Sequence, residues 1–271
     1  MDRYAVFGNP ISHSLSPVIH ARFAELLGER IEYTRVLAPM GEFAATVEKF
    51  FREGGQGCNV TLPFKVEAFE LASVRSDRAI LAGAANFLAR RAGATHGDNT
   101  DGAGLVADLE RNLGVRLEGA SVLLLGAGGA ARGVIAPLLA REPAGIVLAN
   151  RTGARARSLA ARFATLGRIE AVALEDIPRA RFDVVINATS TSTRGEALAL
   201  PAHAISPESF VYEMAYGAGA VAFLERARAA GAKAADGLGM LVEQAAESYQ
   251  LWRGRRPPTA AVIAELRSRR P

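Results

Sequence analysis

Cysteine is almost absent from this chain, since Cys58 is the only one among 271 residues. A single thiol cannot form an intramolecular disulfide, and it excludes a metal site built from several cysteines. Cys58 itself is expected to be a small core residue, because no cysteine–histidine arrangement is readable. The few histidines lack the paired spacing of metal ligands, so no metal site is predicted from His13, His20, His96 and His203.

Long apolar runs are missing as well. No stretch approaches the roughly 20 apolar residues that a membrane-spanning helix needs. Residues 1–8 lead straight into a short apolar strand and lack the layout of a secretory signal. The chain is 49% hydrophobic and 22% charged, which is typical of a globular protein with one large or two ordinary domains. We therefore expect a cytoplasmic protein with no membrane partner.

Lysine is scarce, occurring at only three of 32 basic positions: Lys49, Lys65 and Lys233. Where arginine serves almost every solubilising role, a retained lysine is a candidate for an amine that must release a proton. The net charge of +4 raises the question of nucleic-acid binding. The arginines are scattered among acidic residues, apart from a short cluster near the end of the chain. No basic stripe with interleaved aromatic residues is present, so no nucleic-acid partner is expected.

The first third of the chain alternates short apolar runs with helical patterns, which indicates a mainly parallel α/β sheet. Strands are predicted at 4–7, 32–37 and 58–61. Helices are predicted at 17–27, with Ser16 as N-cap and Pro17 at the first position, and at 43–53, ended by Gly54. A polar, glycine-rich stretch at 93–104 then interrupts this pattern.

A second α/β unit follows the interruption. Its strands are predicted at 121–125, 146–150 and 184–187, with others near 171–174, 211–214 and 232–234. Two helical segments, 240–252 and 258–268, come after this pattern is complete, so we expect them to pack back onto the first unit. The predicted organisation is an α/β domain at 1–101, joined by 238–271, and a doubly wound Rossmann-type domain at 102–237.

A glycine-rich loop in the second unit predicts a dinucleotide site. The apolar strand at 122–125 runs directly into Gly126-Ala127-Gly128-Gly129-Ala130-Ala131 and then a helix. In this G-x-G-x-x-A pattern, Gly126 permits the tight turn and Gly128 lets the backbone approach the pyrophosphate. The helix N-terminus would face the phosphates. A purely structural glycine turn is the alternative, but the strand–loop–helix context favours nucleotide binding.

The end of the next strand favours NADP over NAD. An NAD site usually carries a carboxylate there to bind the ribose hydroxyls. This chain has no carboxylate between Glu142 and Glu170. Arg151 and Arg155 are suited to a 2′-phosphate, with hydrogen bonds from Asn150 and Thr152. The alternative is a helix start with solubilising arginines.

Three polar clusters follow strands of the first unit, where α/β proteins place their ligands. They lie at 9–17, at 59–65 and at Asn86 with 98–102. Their hydroxyls, amides, ammonium and carboxylate suit a small polyhydroxylated acid. Reduction of a carbonyl needs a proton donor, which a lysine near an aspartate can supply. Each cluster alone is equally consistent with ordinary turn and capping chemistry.

Together these motifs resemble those of the shikimate dehydrogenase family over nearly the whole chain. The resemblance is carried, in order, by residues 4–10 and 14–17, 59–65, Asn86, 97–102, 126–130, 150–152, 187–190 and 235–241. It implies reversible, NADP-dependent reduction of 3-dehydroshikimate to shikimate, a step in aromatic amino-acid biosynthesis. It also implies two α/β domains around a cleft, whose closure excludes water.

The resemblance also implies roles for individual residues. Lys65 and Asp101 would be the catalytic pair, with either one as the immediate proton donor. The substrate carboxylate would be held by Ser14 and Ser16. Contacts to the ring hydroxyls and neighbouring groups would come from Asn59, Thr61, Asn86, Tyr216 and Gln244. The cofactor would be held by Gly126, Ala127, Gly128, Gly129, Ala130, Asn150, Arg151, Thr152 and Arg155, with Met214 and Gly237 lining the nicotinamide.

Two stretches depart from the family pattern, at 191–195 and at 217–221, and both are expected on the nicotinamide side. Two other functions stay open at this point. One is a quinate/shikimate dehydrogenase relative that uses NAD or accepts quinate, which Arg151 and the two serines argue against. The other is a non-catalytic NADP-sensing protein, which the presence of both Lys65 and Asp101 argues against. The protein is expected to be a monomer or a homodimer.

Overall fold

The computed structural model describes residues 1–191 and 198–269. The chain divides into two units, which we call the N-terminal unit and the central unit. The N-terminal unit comprises Met1–Gly104 and the C-terminal stretch from Leu241, and the central unit comprises Leu105–Met240. The division thus lies at 104/105 and 240/241, where the sequence suggested 101/102 and 237/238. Over the described residues, no helix is both long enough and apolar enough to cross a bilayer.

The N-terminal unit is built on a six-stranded sheet with the order β2-β1-β3-β5-β6-β4. Only β5 runs against the direction of the other strands. The strands are β1 Asp2–Gly8, β2 Ile31–Leu37, β3 Gly55–Val60, β4 Val74–Arg75, β5 Phe87–Arg91 and β6 Ala94–Asp98. Because β1 lies between β2 and β3, the chain segments after β1 and β3 emerge side by side at one edge.

The sequence predicted that residues 93–104 interrupt the alternation of strands and helices. This prediction was wrong for the first half of the segment, because β6 occupies Ala94–Asp98. The strand forms an antiparallel hairpin with β5. Its two turn residues, Ala92 and Gly93, both have positive φ, 47° and 81°. This geometry matches the twist of paired strands and makes a two-residue turn possible. The strand has almost no apolar alternation, so its backbone pairing with β5 and β4 was not readable from the sequence.

Four helices belong to the first part of this unit: α1 Ser16–Leu27, α2 Phe43–Arg52, α3 Lys65–Leu71 and α4 Asp77–Ala82. Ser16 is not the N-cap of α1 as predicted. Leu15 holds that position, and no side chain caps the helix. The Ser14 hydroxyl instead accepts a bond from the Ser16 amide at 3.3 Å and donates to Ser16 Oγ at 3.2 Å. The local acceptor is therefore Ser14, two residues earlier than the pattern suggested.

The central unit holds a six-stranded, fully parallel sheet. Its strands are β7 Ser121–Leu125, β8 Gly145–Asn150, β9 Ile169–Ala173, β10 Val184–Asn187, β11 Phe210–Glu213 and β12 Lys233–Asp236, in the order β9-β8-β7-β10-β11-β12. This is the doubly wound order of dinucleotide-binding sheets, in which the ligand site lies where the order reverses, here between β7 and β10. The helices of this unit are α6 Gly129–Leu139, α7 Gly153–Ala161 and α8 Val221–Ala229, and α5 Asp101–Ala107 begins in the N-terminal unit and ends in the central unit. The predicted α/β class is confirmed.

The last helices are α9 Leu238–Arg253, which belongs to the N-terminal unit from Leu241 on, and α10 Ala260–Ser268, which lies wholly in that unit. Trp252 donates from Nε1 to the carbonyl oxygen of Leu88 at 3.2 Å. Its indole occupies the space that a side chain at Gly57 would need, because a Cβ there would lie 2.1 Å from Nε1. Arg253 adds an ion pair to Glu29 at 2.8 Å. Helix α9 is thereby fixed beside β3 and β5.

Candidate active site

Lys65 and Asp101 form an ion pair in the N-terminal unit. Each is the first residue of a helix, Lys65 of α3 and Asp101 of α5. The distance between Lys65 Nζ and Asp101 Oδ2 is 2.5 Å, and the two side chains are only 16% and 8% exposed. The pair is therefore largely withdrawn from water yet reachable by a small molecule. An ammonium and a carboxylate in this arrangement are able to exchange a proton with a bound ligand.

Asn86 fixes the other oxygen of Asp101. Its Nδ2 donates to Asp101 Oδ1 at 2.8 Å, and its own Oδ1 accepts from the Thr100 amide at 2.7 Å. Asn99 supplies a further constraint, since its Oδ1 accepts from the Asp101 amide at 3.1 Å. The carboxylate therefore has one defined orientation, and its Oδ2 is directed to Lys65.

Helix α9 brings two more side chains to this cluster. Gln244 Oε1 accepts from Asn86 Nδ2 at 3.2 Å, across 158 residues of sequence. Ser248 lies one helical turn further on, and its Oγ is 3.2 Å from Thr100 Oγ1. The same hydroxyl accepts from Asn59 Nδ2 at 2.9 Å. Ser248 was not among the residues predicted from the sequence, although its i+4 spacing from Gln244 places it on the same helix face.

Tyr33 fixes Asn59 from the opposite side. Its hydroxyl donates to Asn59 Oδ1 at 2.8 Å, so both ends of this amide have partners. Burial raises the pKa of Tyr33 well above its ordinary value, and the neighbouring Cys58 adds to this shift. The hydroxyl is therefore a donor throughout the ordinary pH range. Tyr33 was not among the residues predicted from the sequence, because a single tyrosine in a strand does not indicate which residues it will contact.

Cys58 is a core residue, as expected from the sequence. Its side chain is fully buried, and burial raises the pKa of its thiol far above the ordinary value. Such a thiol stays protonated and unreactive. Among the described residues, no group of three or more histidine, cysteine, aspartate or glutamate side chains has the geometry to hold a metal ion.

The predicted carboxylate-binding residues, Ser14 and Ser16, lie together at the start of α1. Both are buried, at 9% and 5% exposure, and their hydroxyls are 3.2 Å apart. Two neighbouring hydroxyls of this kind suit the two oxygens of a carboxylate. Thr61 follows β3, at the edge of the sheet where β1 also ends, and its amide donates to the Phe7 carbonyl at 2.9 Å. The Thr61 side chain is half-buried.

An ion-pair cluster supports the segment that carries Asp101. Arg78 makes two bonds to Asp98, at 3.0 and 2.7 Å, and one to Glu247 on α9 at 2.8 Å. Burial alone would raise the pKa of Asp98. The hydrogen bonds from Arg78 and Ser76 outweigh it and hold that pKa below its ordinary value. Asp98 is thus a fixed anion that anchors the chain three residues before Asp101.

The glycine loop of the central unit has the geometry that a dinucleotide requires. Gly126 has φ of +105°, and a Cβ there would lie 3.0 Å from the Ala188 carbonyl oxygen. At Gly128 and Gly129 a Cβ would meet no atom within 4 Å. The backbone is therefore open for a ligand to approach. Helix α6 begins at Gly129 with no side-chain cap, so its first N–H groups are available to an anion.

The predicted 2′-phosphate residues follow β8. Asn150 Nδ2 donates to the Thr152 carbonyl oxygen at 3.0 Å, which shapes the turn into α7. Arg151, Thr152 and Arg155 are exposed. In the described part of the chain, no ion pair involves either arginine. Ala127 and Ala130 complete the loop and are half-buried. The residues present fit a phosphorylated dinucleotide.

Met214 and Gly237 lie after β11 and β12 and touch directly. A Cβ at Gly237 would be 2.2 Å from the Met214 carbonyl oxygen, so only glycine fits. Tyr216 is half-buried and belongs to the central unit, unlike the other predicted substrate residues. It precedes a short 3₁₀ turn at Gly217–Ala220, which lies within the unusual stretch 217–221. The other unusual stretch is 191–195, of which residues 192–195 lie outside the described part of the chain.

The sequence matches known families along most of its length. Residues 6–88 match the shikimate dehydrogenase substrate-binding domain. Residues 108–195 match the shikimate/quinate 5-dehydrogenase family, and residues 237–267 match the shikimate 5′-dehydrogenase C-terminal domain. These ranges include the Lys65-bearing segment and the glycine loop.

Individual relatives agree with these matches. An NADP⁺ shikimate dehydrogenase of Acidovorax sp. strain JS42 is 54% identical over 98% of this chain and 96% of its own. An enzyme from Pseudomonas putida is 47% identical with a TM-score of 0.92, covering 98% of both chains. The shikimate 5-dehydrogenase of Thermus thermophilus, solved with NADP(H) and shikimate, is 33% identical with a TM-score of 0.85, covering 99% of both chains.

Proposed function

Because the chain belongs to the shikimate dehydrogenase family, we propose that it catalyses the reversible NADPH-dependent reduction of 3-dehydroshikimate to shikimate. This reaction is a step of aromatic amino-acid biosynthesis. The observation that carries the proposal is the Lys65–Asp101 pair, with Nζ and Oδ2 2.5 Å apart in a largely buried site. It supplies the proton that a ketone must gain when a hydride makes it an alcohol.

Lys65 and Asp101 act as one proton-handling unit in this proposal. The substrate oxygen would lie against the pair, and one of the two gives it a proton as negative charge develops there. In the reverse direction the pair removes the proton from the shikimate hydroxyl. The hydrogen bond from Asn86 keeps Asp101 oriented throughout. Lys65 is the first residue of α3 and Asp101 is the first residue of α5, so the position of each group is set by a helix.

The substrate would be held by the polar groups around this pair. Ser14 and Ser16 are proposed to bind its carboxylate through their adjacent hydroxyls. The remaining contacts to its hydroxyls and ring are assigned to Asn59, Thr61, Asn86, Gln244 and Tyr216. Three of these, Asn59, Asn86 and Gln244, are linked by hydrogen bonds and form a preorganised polar surface.

NADPH, when bound, supplies the hydride for the reduction. Gly126, Ala127, Gly128, Gly129 and Ala130 would hold its pyrophosphate against the start of α6. The 2′-phosphate would be held by Arg151 and Arg155, with Asn150 and Thr152 beside them. Met214 and Gly237 are assigned to the nicotinamide. A cytoplasmic location, and a monomeric or homodimeric state, stay predictions.

The test is an absorbance assay of NADP reduction with shikimate, on the wild-type chain and on Lys65→Ala. The variant should lower kcat by at least about 10²-fold, the contribution typical of a positioned acid or base. Lys49→Ala is the matched control, because that lysine is exposed and pairs with Glu53 on the helix surface. It should retain wild-type turnover.

Near-normal turnover by Lys65→Ala would refute the assignment of the proton donor. No NADP reduction by the wild-type chain would refute the proposed function itself. The same assay run with quinate in place of shikimate, and NAD in place of NADP, separates this enzyme from a quinate-accepting or NAD-using relative. We expect shikimate and NADP to be preferred.

A further inference from the structure

The loop that carries Ser14 is held by an arginine that the proposed reaction leaves without a role. Arg35 lies on β2, two residues after Tyr33. Its Nε and Nη2 both donate to the Ser14 carbonyl oxygen, at 2.9 and 2.6 Å. Side chains alternate along a strand, so Arg35 extends from the same face as Tyr33, whose hydroxyl reaches Asn59. These two side chains of β2 therefore both serve the proposed substrate site.

The positive charge of Arg35 is not neutralised by the protein. Within residues 1–191 and 198–269, its two bonds to the Ser14 carbonyl are its only side-chain hydrogen bonds, and no carboxylate pairs with it. Other arginines of the N-terminal unit do have carboxylate partners, among them Arg22 and Arg78. A carbonyl oxygen has no net charge, so the guanidinium of Arg35, an exposed residue, keeps its positive charge beside Ser14. Three of its five N–H groups remain for a ligand.

We propose that Arg35 makes the Ser14–Ser16 loop selective for a negatively charged substrate group. This inference rests on the proposed function, in which those serines hold the substrate carboxylate. Their hydroxyls are neutral donors, which bind a carboxylate and an uncharged ester of similar shape with little discrimination by charge. A fixed cation on the backbone of the same loop supplies that discrimination. Arg35 contacts the backbone of Ser14 and acts on the ligand through its charge, so it is not counted among the catalytic residues.

The experiment compares shikimate with its uncharged methyl ester in wild type, Arg35→Gln, Arg35→Lys and Arg30→Gln. Arg30 is the matched control, because it is exposed and lies just before the same strand, outside the segment that holds Ser14. Arg35→Gln should raise KM for shikimate by roughly three- to tenfold at low salt, with kcat nearly unchanged. Its KM for the ester should match that of wild type. Arg35→Lys, which keeps the charge, should recover part of the loss.

Salt provides a second readout that a merely structural role would not change. At about 1 M salt the screening length falls to roughly 3 Å. The preference of the wild-type enzyme for the acid over the ester should then shrink toward that of Arg35→Gln. Melting temperatures of all four proteins, measured in parallel, should agree within a few degrees.

An equal rise in KM for acid and ester would overturn the proposal, since it would show only that the loop is displaced. No change in either KM, or a fall in kcat with KM unchanged, would overturn it as well. If the wild-type chain fails to oxidise shikimate, the proposed function fails, and calorimetric binding of acid and ester to wild type and Arg35→Gln then tests the charge selectivity on its own. Equal affinities of wild type for both ligands would reject it.

Discussion

Tyr33 shows how one hydroxyl sets the orientation of a neighbouring side chain. Its bond to Asn59 Oδ1 defines which end of that amide is the acceptor, and the Nδ2 group is left to donate to Ser248 and to the Asn86 carbonyl. Asn59 is only 5% exposed, so a missing partner would not be replaced freely by water. Tyr33 therefore orients Asn59, a proposed substrate contact, and is not itself assigned a contact with the substrate.

Tyr33→Phe should raise KM for shikimate by about three- to tenfold, because the buried Asn59 oxygen loses its donor and the amide is free to reorient. Stability should fall by about 1–2 kcal/mol. Tyr249→Phe is the matched control, because its hydroxyl donates to Glu29 at 2.9 Å, away from the substrate residues. Steady-state kinetics and thermal melting check both variants. Equal KM changes in the two variants would show that the effect is not specific to Asn59.

At the scale of single elements, the strand–loop–helix unit of β7 and α6 combines two kinds of glycine. Gly126 is required by the fold, since its φ is +105° and its neighbour Ala188 leaves no room for a side chain. Gly128 has open space around the position of a Cβ and an ordinary negative φ of −92°. The fold alone does not require glycine there. We propose that the open side of Gly128 is where the backbone of the loop approaches a ligand.

Gly128→Ala should therefore leave the melting temperature unchanged while raising KM for NADP by about tenfold or more, because the methyl group obstructs the pyrophosphate. Gly237→Ala is the contrasting variant. Its Cβ would lie 2.2 Å from the Met214 carbonyl oxygen, so it should lose stability. Differential scanning fluorimetry with and without NADP measures both effects. A large drop in melting temperature for Gly128→Ala without ligand would contradict this interpretation of the loop.

For the molecule as a whole, stability depends on buried groups that resist protonation. His20 lies within the aromatic side chains of Tyr33, Tyr249, Trp252 and Phe23, and its ring stacks on Tyr33 at 4.2 Å. Among the described residues neither ring nitrogen has a hydrogen-bond partner. Burial lowers the pKa of His20 to about 3, and it outweighs the opposing effect of the nearby Asn59 amide. The folded protein therefore binds fewer protons than the unfolded chain in mild acid.

Acid should destabilise the protein through this histidine. Since the unfolded pKa is 6.5 and the folded pKa is about 3, the stabilisation is present at neutral pH and is lost as pH falls below 6.5. The loss should reach about 2 kcal/mol between pH 7 and pH 5. Asp98, whose pKa is also lowered in the folded state, adds a further loss at more acidic pH. Urea unfolding at the two pH values measures the change.

His20→Phe should abolish most of the decrease between pH 7 and pH 5, because phenylalanine fills the aromatic site and has no proton to bind. His13→Gln, at an exposed position, is the control and should retain the wild-type decrease. If His20→Phe loses as much stability in acid as the wild type does, another group controls the acid response.

Features that depend on local geometry could be predicted from the sequence alone. The glycine loop, the arginines after β8 and the alternation of strands and helices were readable because turns and periodic side-chain patterns are properties of short segments. The β5–β6 hairpin could not be predicted from such patterns, because β6 is defined by its backbone pairing with β5 and has almost no apolar alternation. Ser16 was misassigned as an N-cap, because the pattern did not show that Ser14 supplies the local acceptor.

Which side chains meet depends on contacts between distant parts of the chain. The Lys65–Asp101 bond spans 36 residues and the Asn86–Gln244 bond spans 158. Tyr33 and Arg35 reach the site because β2 is hydrogen-bonded beside β1, and Ser248 reaches it because α9 returns to the first sheet. Such contacts depend on sheet order and on the packing of distant helices, which the packing of the whole chain fixes. The sequence thus indicated the chemistry, and the fold selected the residues that hold it in place.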